Sequence, residues 1–335
     1  MIFVTGGTGL VGSHLLFELV LSGKKVIALK RETSDIEKTR KVFSYYSDKS
    51  DELFSKIDWI NGDILDYDSI ENSLNGVEEI YHAAALVSFN PKEKYLVKSN
   101  IHGTQNLVNA ALEKKIQKFC FVSSVASLGK PLNGNLINES CIWSAKHKKS
   151  IYSYSKHHSE MEVWRGAAEG LNVVIVNPSI ILGPGFWNSG SSAFFSTIYK
   201  GLNFYPSGIT GFLDVRDVVK IMIELMEKEI FNERFILNAE NYAYKDFFQL
   251  IAKSLNVKKP AVPVTKFMTS VGWRMAKIIS IFSNHPPKLT KETAKSANSV
   301  SYYSNEKITQ KLNYNFISIK DSIRENCELF LDDKN

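Results

Sequence analysis

The twelve residues MIFVTGGTGLVG at the head of the chain restrict its fold more than any other stretch. Ile2, Phe3 and Val4 form an apolar run too short for a helix and stopped by glycines, which predicts a buried strand. Gly6, Gly9 and Gly12 recur every third residue, and His14 to Val20 continues with helical character and no breaker before Gly23. The order is strand, glycine turn, helix. Counted from Gly7, the same letters satisfy G-x-G-x-x-G through Gly9 and Gly12, the spacing that lets backbone approach a pyrophosphate at a helix N-terminus. Free N–H groups and the helix dipole favour an anion there. Gly6, Thr8, Gly9, Leu10, Val11 and Gly12 are the expected contacts. A glycine turn after a strand is often only a turn, so the motif draws its weight from the rest of the chain.

Beyond this turn, strands and helices alternate. Lys25–Leu29, Ile57–Ile60, Glu79–Ala85 and Phe119–Val122 read as strands two to five, and Asn100 lies on a long helix ending near Lys115. Residues 32–51 are polar and predict one or two short surface helices with no chemistry. Apolar strands alternating with helices predict a parallel sheet covered on both faces, with ligands beyond the strands' carboxyl ends. The expected class is α/β, a Rossmann-type doubly wound parallel sheet with a smaller, mostly helical C-terminal substrate-binding cap. Residues 1–176 would form the dinucleotide-binding domain, with 212–240 returning to it, and 177–335 the substrate region and cap. At 335 residues, 44% of them hydrophobic, the chain suits one large or two fused domains.

Strand ends supply the remaining cofactor candidates. An acid after the second strand would bind an adenosine 2′-hydroxyl, but Lys30 and Arg31 stand there and suit a 2′-phosphate. NADP(H) is therefore preferred and NAD(H) stays open, since a solvated strand end also accepts Lys and Arg. Asp63, followed by Ile64, ends the third strand with a carboxylate placed for an adenine amino group, while Asp66 or Asp68 caps the next helix. Ala83, Ala84 and Ala85 are small enough for a ligand to pass closely, and Asn100, Tyr152 and Lys156 are the further expected cofactor contacts.

Ser123 and Ser124 follow the fifth strand, and Tyr152 and Lys156 lie four apart on a predicted helix, hence on one face. Y-x-x-x-K also occurs at Tyr45/Lys49 and Tyr303/Lys307, but only Tyr152/Lys156 follows a serine-tipped central strand. A phenol with a pKa near 10 is a poor acid–base group until a neighbouring cation lowers it, a charge that Lys156 plus an oxidised nicotinamide would supply. Ser124 would hold the substrate oxygen.

In this order, Thr5-Gly6-x-x-Gly9-x-x-Gly12, Gly62-Asp63, His82-Ala83-Ala84, Asn100-x-x-Gly103-Thr104, Val122-Ser123-Ser124, Tyr152-x-x-x-Lys156, Asn177-Pro178-x-x-Ile181-x-Gly183-Pro184-Gly185 and Asp214-Val215-Arg216-Asp217-Val218 resemble the extended short-chain dehydrogenase/reductases, or NAD-dependent epimerase/dehydratase family. The resemblance implies Ser124, Tyr152 and Lys156 as the catalytic triad, with Pro178 and Ile181 near the nicotinamide. Lys30-Arg31 is most similar to dihydroflavonol reductase-like and hydroxysteroid dehydrogenase-like members. The implied reaction is NADPH-dependent reduction of a ketone or aldehyde, with Tyr152 as proton donor. A redox-neutral sugar-nucleotide epimerase or dehydratase is the alternative. A third reading, a cofactor-sensing interaction protein, requires a broken Ser/Tyr/Lys set, and here the set is intact.

Other classes find less support. Cys120, Cys141 and Cys327 are odd in number and far apart, and His157 and His158 are helix neighbours pointing apart, so no metal site is expected. The net charge of +6 is concentrated: nine basic residues between Lys253 and Lys295 face Glu292 alone. No nucleic-acid module accompanies them, and none is expected to bind. Val264, Phe267, Met268, Val271, Met275, Ile278, Ile279 and Phe282 recur at helical steps beside Lys266, Arg274 and Lys277. This stripe is expected to pack as a substrate lid, membrane contact through 264–282 being the lesser reading. Phe267, Met268, Trp273 and Met275 in the cap favour a hydrophobic substrate. No run reaches the roughly 18 apolar residues that span a bilayer, and a strand starting at Met1 leaves no room for a signal peptide, so a cytoplasmic location is expected. A homodimer stays open.

Overall fold

The computed structural model describes residues 1–87, 94–131, 134, 136–144, 150–265, 268 and 290–334. Its centre is a seven-stranded sheet. The first five strands in sequence are β1 (Ile2–Thr5), β2 (Val26–Lys30), β3 (Ile57–Asn61), β4 (Glu79–His82) and β5 (Lys118–Val122). Across the sheet the order is β3, β2, β1, β4, β5, then Val173–Pro178 and Glu233–Leu237, and every pairing is parallel. Strand order reverses between β1 and β4, so a crevice opens there at the carboxyl ends, the position where ligands bind in such sheets.

The sheet's residues alternate between two cores, as a period of two requires. Ile2, Val4, Tyr81, Cys120, Val174 and Val176 pack with Leu15, Leu16, Leu19 and Val20 of helix α1 (Leu10–Leu21), and with Val218, Met222 and Leu225 of helix Val215–Glu227. Phe3, Ile80, Phe119, Phe121, Val173 and Ile175 face the other way, onto Leu107, Val108 and Ala111 of helix Gly103–Glu113 and Val163 of helix Ile151–Ala168. Helices thus cover both faces, as the alternating pattern predicts.

The second half builds a smaller unit. Strands Glu240–Ala243, Ile209–Asp214 and Ile180–Leu182 form a three-stranded sheet, antiparallel between the first two and parallel between the last two. Phe212 stacks on Phe247 with ring centroids 3.9 Å apart, in a core shared with Phe195, Ile251, Ile323 and Phe330 from helices Ala193–Tyr199, Tyr244–Ser254 and Ile319–Asp332. Helix Glu306–Leu312 instead returns Ile308 and Leu312 to the core of the large sheet. Apart from Val264, Thr265 and Met268, the stripe from 264 to 282 lies outside the described residues, as do Phe267, Trp273 and Met275. Among the described residues no helix is long and apolar enough to cross a membrane, and no cluster could hold a metal ion.

Candidate active site

The glycine turn is shaped by close approach. Gly6 has a φ of 77°, and a Cβ on it would lie 2.5 Å from the Ala84 nitrogen. A Cβ on Gly12 would lie 2.1 Å from the Gly6 oxygen, so α1 sits against the turn closer than any other residue permits. Gly9 differs: it is extended, at φ −104° and ψ 173°, and a Cβ there would meet nothing nearer than 3.4 Å. Gly9 precedes α1 as its N-cap with no side chain to cap it, leaving the first N–H groups open to an anion. The donor set and the cradle fit a dinucleotide pyrophosphate. Thr39, from helix Glu37–Ser44, donates its hydroxyl to the Gly7 carbonyl at 3.0 Å and braces the turn from outside.

Thr8, Leu10 and Val11 surround this turn, Leu10 reaching the segment where a Cβ on Gly183 would lie 3.0 Å from its Cδ1. Ala83 and Ala84 flank Gly6, and Ala85 is exposed. Lys30 ends β2 with its Nζ donating to Asn61 Oδ1 at 2.6 Å, and Arg31 beside it is exposed. Asp63 accepts from the Leu65 N–H at 2.9 Å in a turn after β3, Asp66 caps the following helix, and Ile64 packs against Gly103. Pro178 ends its strand, while Ile181 falls in the smaller sheet. The cofactor candidates thus gather along one edge of the large sheet, except Ile181, which stands at the junction with the smaller one.

Asn100 lies on a π-helical turn, Lys98–His102, which runs into helix Gly103–Glu113. Such a turn marks functional sites often enough to be informative. Buried Asn100 accepts from the Leu86 N–H at 2.8 Å and donates to the Leu86 carbonyl at 3.0 Å and to Ser155 Oγ at 3.1 Å. It ties the loop after β4 to the helix of Tyr152. Beneath it, His82 joins Thr5 Oγ1 at 2.7 Å to Thr104 Oγ1 at 2.9 Å, and burial pushes its imidazole down to about 3, so it is neutral.

Tyr152 occupies the first turn of helix Ile151–Ala168, which Ser150 caps by accepting from the Ser153 N–H at 3.0 Å. Ser153 Oγ donates to the Ala126 carbonyl at 2.6 Å, clamping the helix start onto the turn that carries Ser124. Ser124 Oγ accepts from the Ala126 N–H at 3.1 Å, and the Tyr152 phenol lies beside the Ser124 side chain. Burial raises the phenol above the ordinary value, and the Ser124 hydrogen bond opposes that rise. Lys156 is 2% exposed, donates to the Val122 carbonyl at 2.7 Å and lies 4.7 Å over the Phe121 ring. Burial pushes its ammonium down to about 7, opposed by the charge of Glu160. Ser124, Tyr152 and Lys156 therefore meet at the end of β5. The expected lowering of the phenol depends on Lys156 together with a bound oxidised nicotinamide; in the nucleotide-free chain burial acts to raise the Tyr152 phenol and to lower the Lys156 ammonium.

Ser153, Thr39, Asn177 and Glu160 escaped the sequence reading as site residues. Only Asn177 carried a signal, standing beside Pro178.

The chain's residues 2–237 match the model of the NAD dependent epimerase/dehydratase family. Among curated relatives, a "Putative dihydroflavonol 4-reductase" of Synechocystis sp. is 27% identical, covering 98% of this chain and 94% of its own length. Cinnamoyl-CoA reductase 1 of Petunia hybrida is 26% identical, over 80% and 84% respectively. Among solved structures, gox2253 superimposes with a TM-score of 0.82 at 27% identity, covering 99% of this chain and 98% of that one. A UDP-glucose 4-epimerase of Thermotoga maritima, solved with UDP-glucose, gives 0.78 at 21% identity over 100% and 99%, a likeness of fold.

Proposed function

The chain belongs to the NAD-dependent epimerase/dehydratase family of NAD(P)-dependent enzymes, and we propose that it reduces the carbonyl of a hydrophobic small molecule with NADPH. The observation that carries this reading is the gathering of three groups at the end of β5: Ser124 after the strand, Tyr152 on the helix start that Ser153 clamps to the Ala126 carbonyl, and buried Lys156 donating to the Val122 carbonyl. Reduction of a carbonyl needs a proton donor at its oxygen, and a phenol, with an ordinary pKa near 10, carries its proton at neutral pH.

NADPH, when bound, supplies the hydride. The chain's own residues do the rest. Ser124 orients the substrate oxygen, and Tyr152 delivers its hydroxyl proton to that oxygen as the carbonyl carbon gains hydrogen, leaving an alcohol. Lys156 offsets the negative charge left on the phenolate, the ammonium being kept within reach of the site by the Val122 carbonyl. Asn100 holds the loop after β4 against the same helix.

The preference for NADPH is supported by Lys30 and Arg31 at the end of β2, where a 2′-phosphate would find two cations. Reduction, as opposed to redox-neutral epimerisation, is supported by relatives named for reducing a dihydroflavonol and a cinnamoyl-CoA. The test is a panel of aromatic and aliphatic ketones, aldehydes and thioesters with NADPH, following loss of the reduced nicotinamide. Consumption matched by alcohol or aldehyde product supports the reading; conversion of a UDP-sugar without net consumption overturns it.

A further inference from the structure

Behind the Ser124–Tyr152 pair lies a buried carboxylate that proton transfer does not use. Glu160 is 1% exposed and stands one helical turn beyond Lys156. Its Oε2 accepts from Ser123 Oγ at 2.6 Å, Ser127 Oγ at 2.7 Å and Asn177 Nδ2 at 2.8 Å. Its Oε1 accepts from Arg234 Nη1 at 3.1 Å and Trp164 Nε1 at 3.4 Å. These donors come from the end of β5, the short 3-10 turn Val125–Ser127, strand Val173–Pro178, edge strand Glu233–Leu237 and the helix itself. One carboxylate gathers five donors, four of them from three separate pieces of backbone and one from its own helix.

Two of those donors also reach Ser124. Ser127 Oγ lies 2.8 Å from the Ser124 carbonyl oxygen, and Asn177 Nδ2 donates to that oxygen at 3.2 Å. Asn177 and Ser127 are themselves joined at 2.9 Å. With the Ser127 hydroxyl proton given to Glu160, the Ser124 carbonyl is held by the Ser127 N–H at 3.0 Å and by Asn177, the two residues that Glu160 grips. Burial works to raise the Glu160 carboxyl, but the Ser123 and Ser127 hydroxyls, the Arg234 charge and Asn177 together hold it below the ordinary range. A buried ion pair gives little stability over well-packed apolar side chains, so stability alone does not call for a charge at this place.

We propose that Glu160 is a positioning residue for Ser124: its carboxylate fixes the 123–127 turn so that the Ser124 hydroxyl and the Tyr152 phenol face the same substrate oxygen. The inference rests on the carbonyl-reduction reading for its kinetic arm only. Misplacing a reacting group by a fraction of its working distance lowers turnover without a corresponding loss of binding.

Two variants of the full chain test it, Glu160→Gln and Ser127→Ala, the second removing the bridging hydroxyl with no change of charge. Hydrogen exchange is read at the amides of Ser127 and Leu128, which donate to the Ser124 and Val125 carbonyls. In parallel, kcat, KM and the NADPH Kd are measured. Glu160→Gln is expected to speed exchange at these amides and lower kcat by about tenfold to a hundredfold, with the NADPH Kd within about twofold of wild type. Ser127→Ala should move the same quantities in the same direction by less, and it carries the test if Glu160→Gln does not fold. Unchanged exchange in the turn overturns the proposal, as does a loss of NADPH affinity parallel to the loss of kcat. Should the wild type reduce no carbonyl compound, the functional reading fails while the exchange arm still decides the positioning role.

Discussion

Two glycines of the first turn should separate folding from nucleotide binding. At Gly12 the added methyl of Gly12→Ala would lie 2.1 Å from the Gly6 oxygen, 2.5 Å from the Gly6 carbonyl carbon and 2.9 Å from the Gly7 Cα. All three are backbone atoms, so no side chain can yield. Restoring ordinary contact requires α1 and the turn to part by on the order of 1 Å, at the roughly 1–3 kcal/mol typical of overpacking. Alanine's better helix propensity returns only about 1 kcal/mol. At Gly9 the same methyl meets nothing closer than 3.4 Å, in extended backbone that any residue adopts. Gly9→Ala should therefore cost the nucleotide-free protein only the preference for glycine over alanine at an N-cap, at most about 1 kcal/mol. Because Gly9 immediately precedes the first N–H groups of α1, its methyl is expected to hinder an anion approaching them. Losing one charge-assisted hydrogen bond there is worth about 1.5–3 kcal/mol, or on the order of tenfold or more in affinity. Thermal denaturation with and without NADPH, together with a binding titration, reads both effects. Without nucleotide Gly12→Ala should melt well below wild type and Gly9→Ala only slightly below it, while Gly9→Ala should lose most of the shift NADPH provides. Wild-type affinity in Gly9→Ala, or wild-type stability in Gly12→Ala, would refute the reasoning.

Tyr152→Phe should retain NADPH binding and lose turnover by at least about a hundredfold, since the ring still packs but has no proton to give; steady-state kinetics and a titration check this. Arg31→Asp should invert the preference between NADPH and NADH, and unchanged relative Kd values would remove Arg31 from the 2′-phosphate site. Lys156 bears on stability as well. In the folded nucleotide-free protein its ammonium is pushed down to about 7, whereas an unfolded lysine keeps its proton to about 10.4, so between these values the unfolded chain binds the extra proton. This group therefore makes stability rise with pH across that window, by at most about 1.4 kcal/mol per pH unit. Chemical denaturation of Lys156→Met should show that rise reduced; an unchanged pH slope would mean the ammonium is not desolvated.

Local pattern encodes the parts of the protein that are legible in its sequence. The first turn, five strands and the Tyr152/Lys156 face arise from apolar runs, glycine spacing and a four-residue step, and the protein puts them at one sheet edge. The stretch from 32 to 51 reads as surface because it is polar on average, yet Thr39, Val42 and Phe43 are buried and Thr39 braces the glycine turn. Each short helix there buries one narrow face, too few residues to register as a pattern. The π turn at Lys98–His102 is hidden for a related reason: one extra residue in a turn shifts Asn100 without changing the helical look of the sequence. Glu160 is the largest omission. A glutamate on a Lys- and His-containing helix reads as solvated, and only the meeting of Ser123, Ser127, Asn177 and Arg234, distant in sequence, makes its burial tolerable. The three-stranded sheet of Ile180–Leu182, Ile209–Asp214 and Glu240–Ala243 likewise depends on pairings between segments far enough apart in the chain that no local run announces them.

Net carbonyl reduction with Tyr152 as proton donor is tested most directly by one stoichiometric measurement. Purified protein and its Tyr152→Phe variant are incubated with NADPH and the carbonyl panel, and nicotinamide oxidised is compared with product formed. The expected result is one NADPH oxidised per carbonyl reduced in the wild type and none above background in the variant. A sugar nucleotide converted with no net nicotinamide consumed, or a variant as active as the wild type, would contradict it.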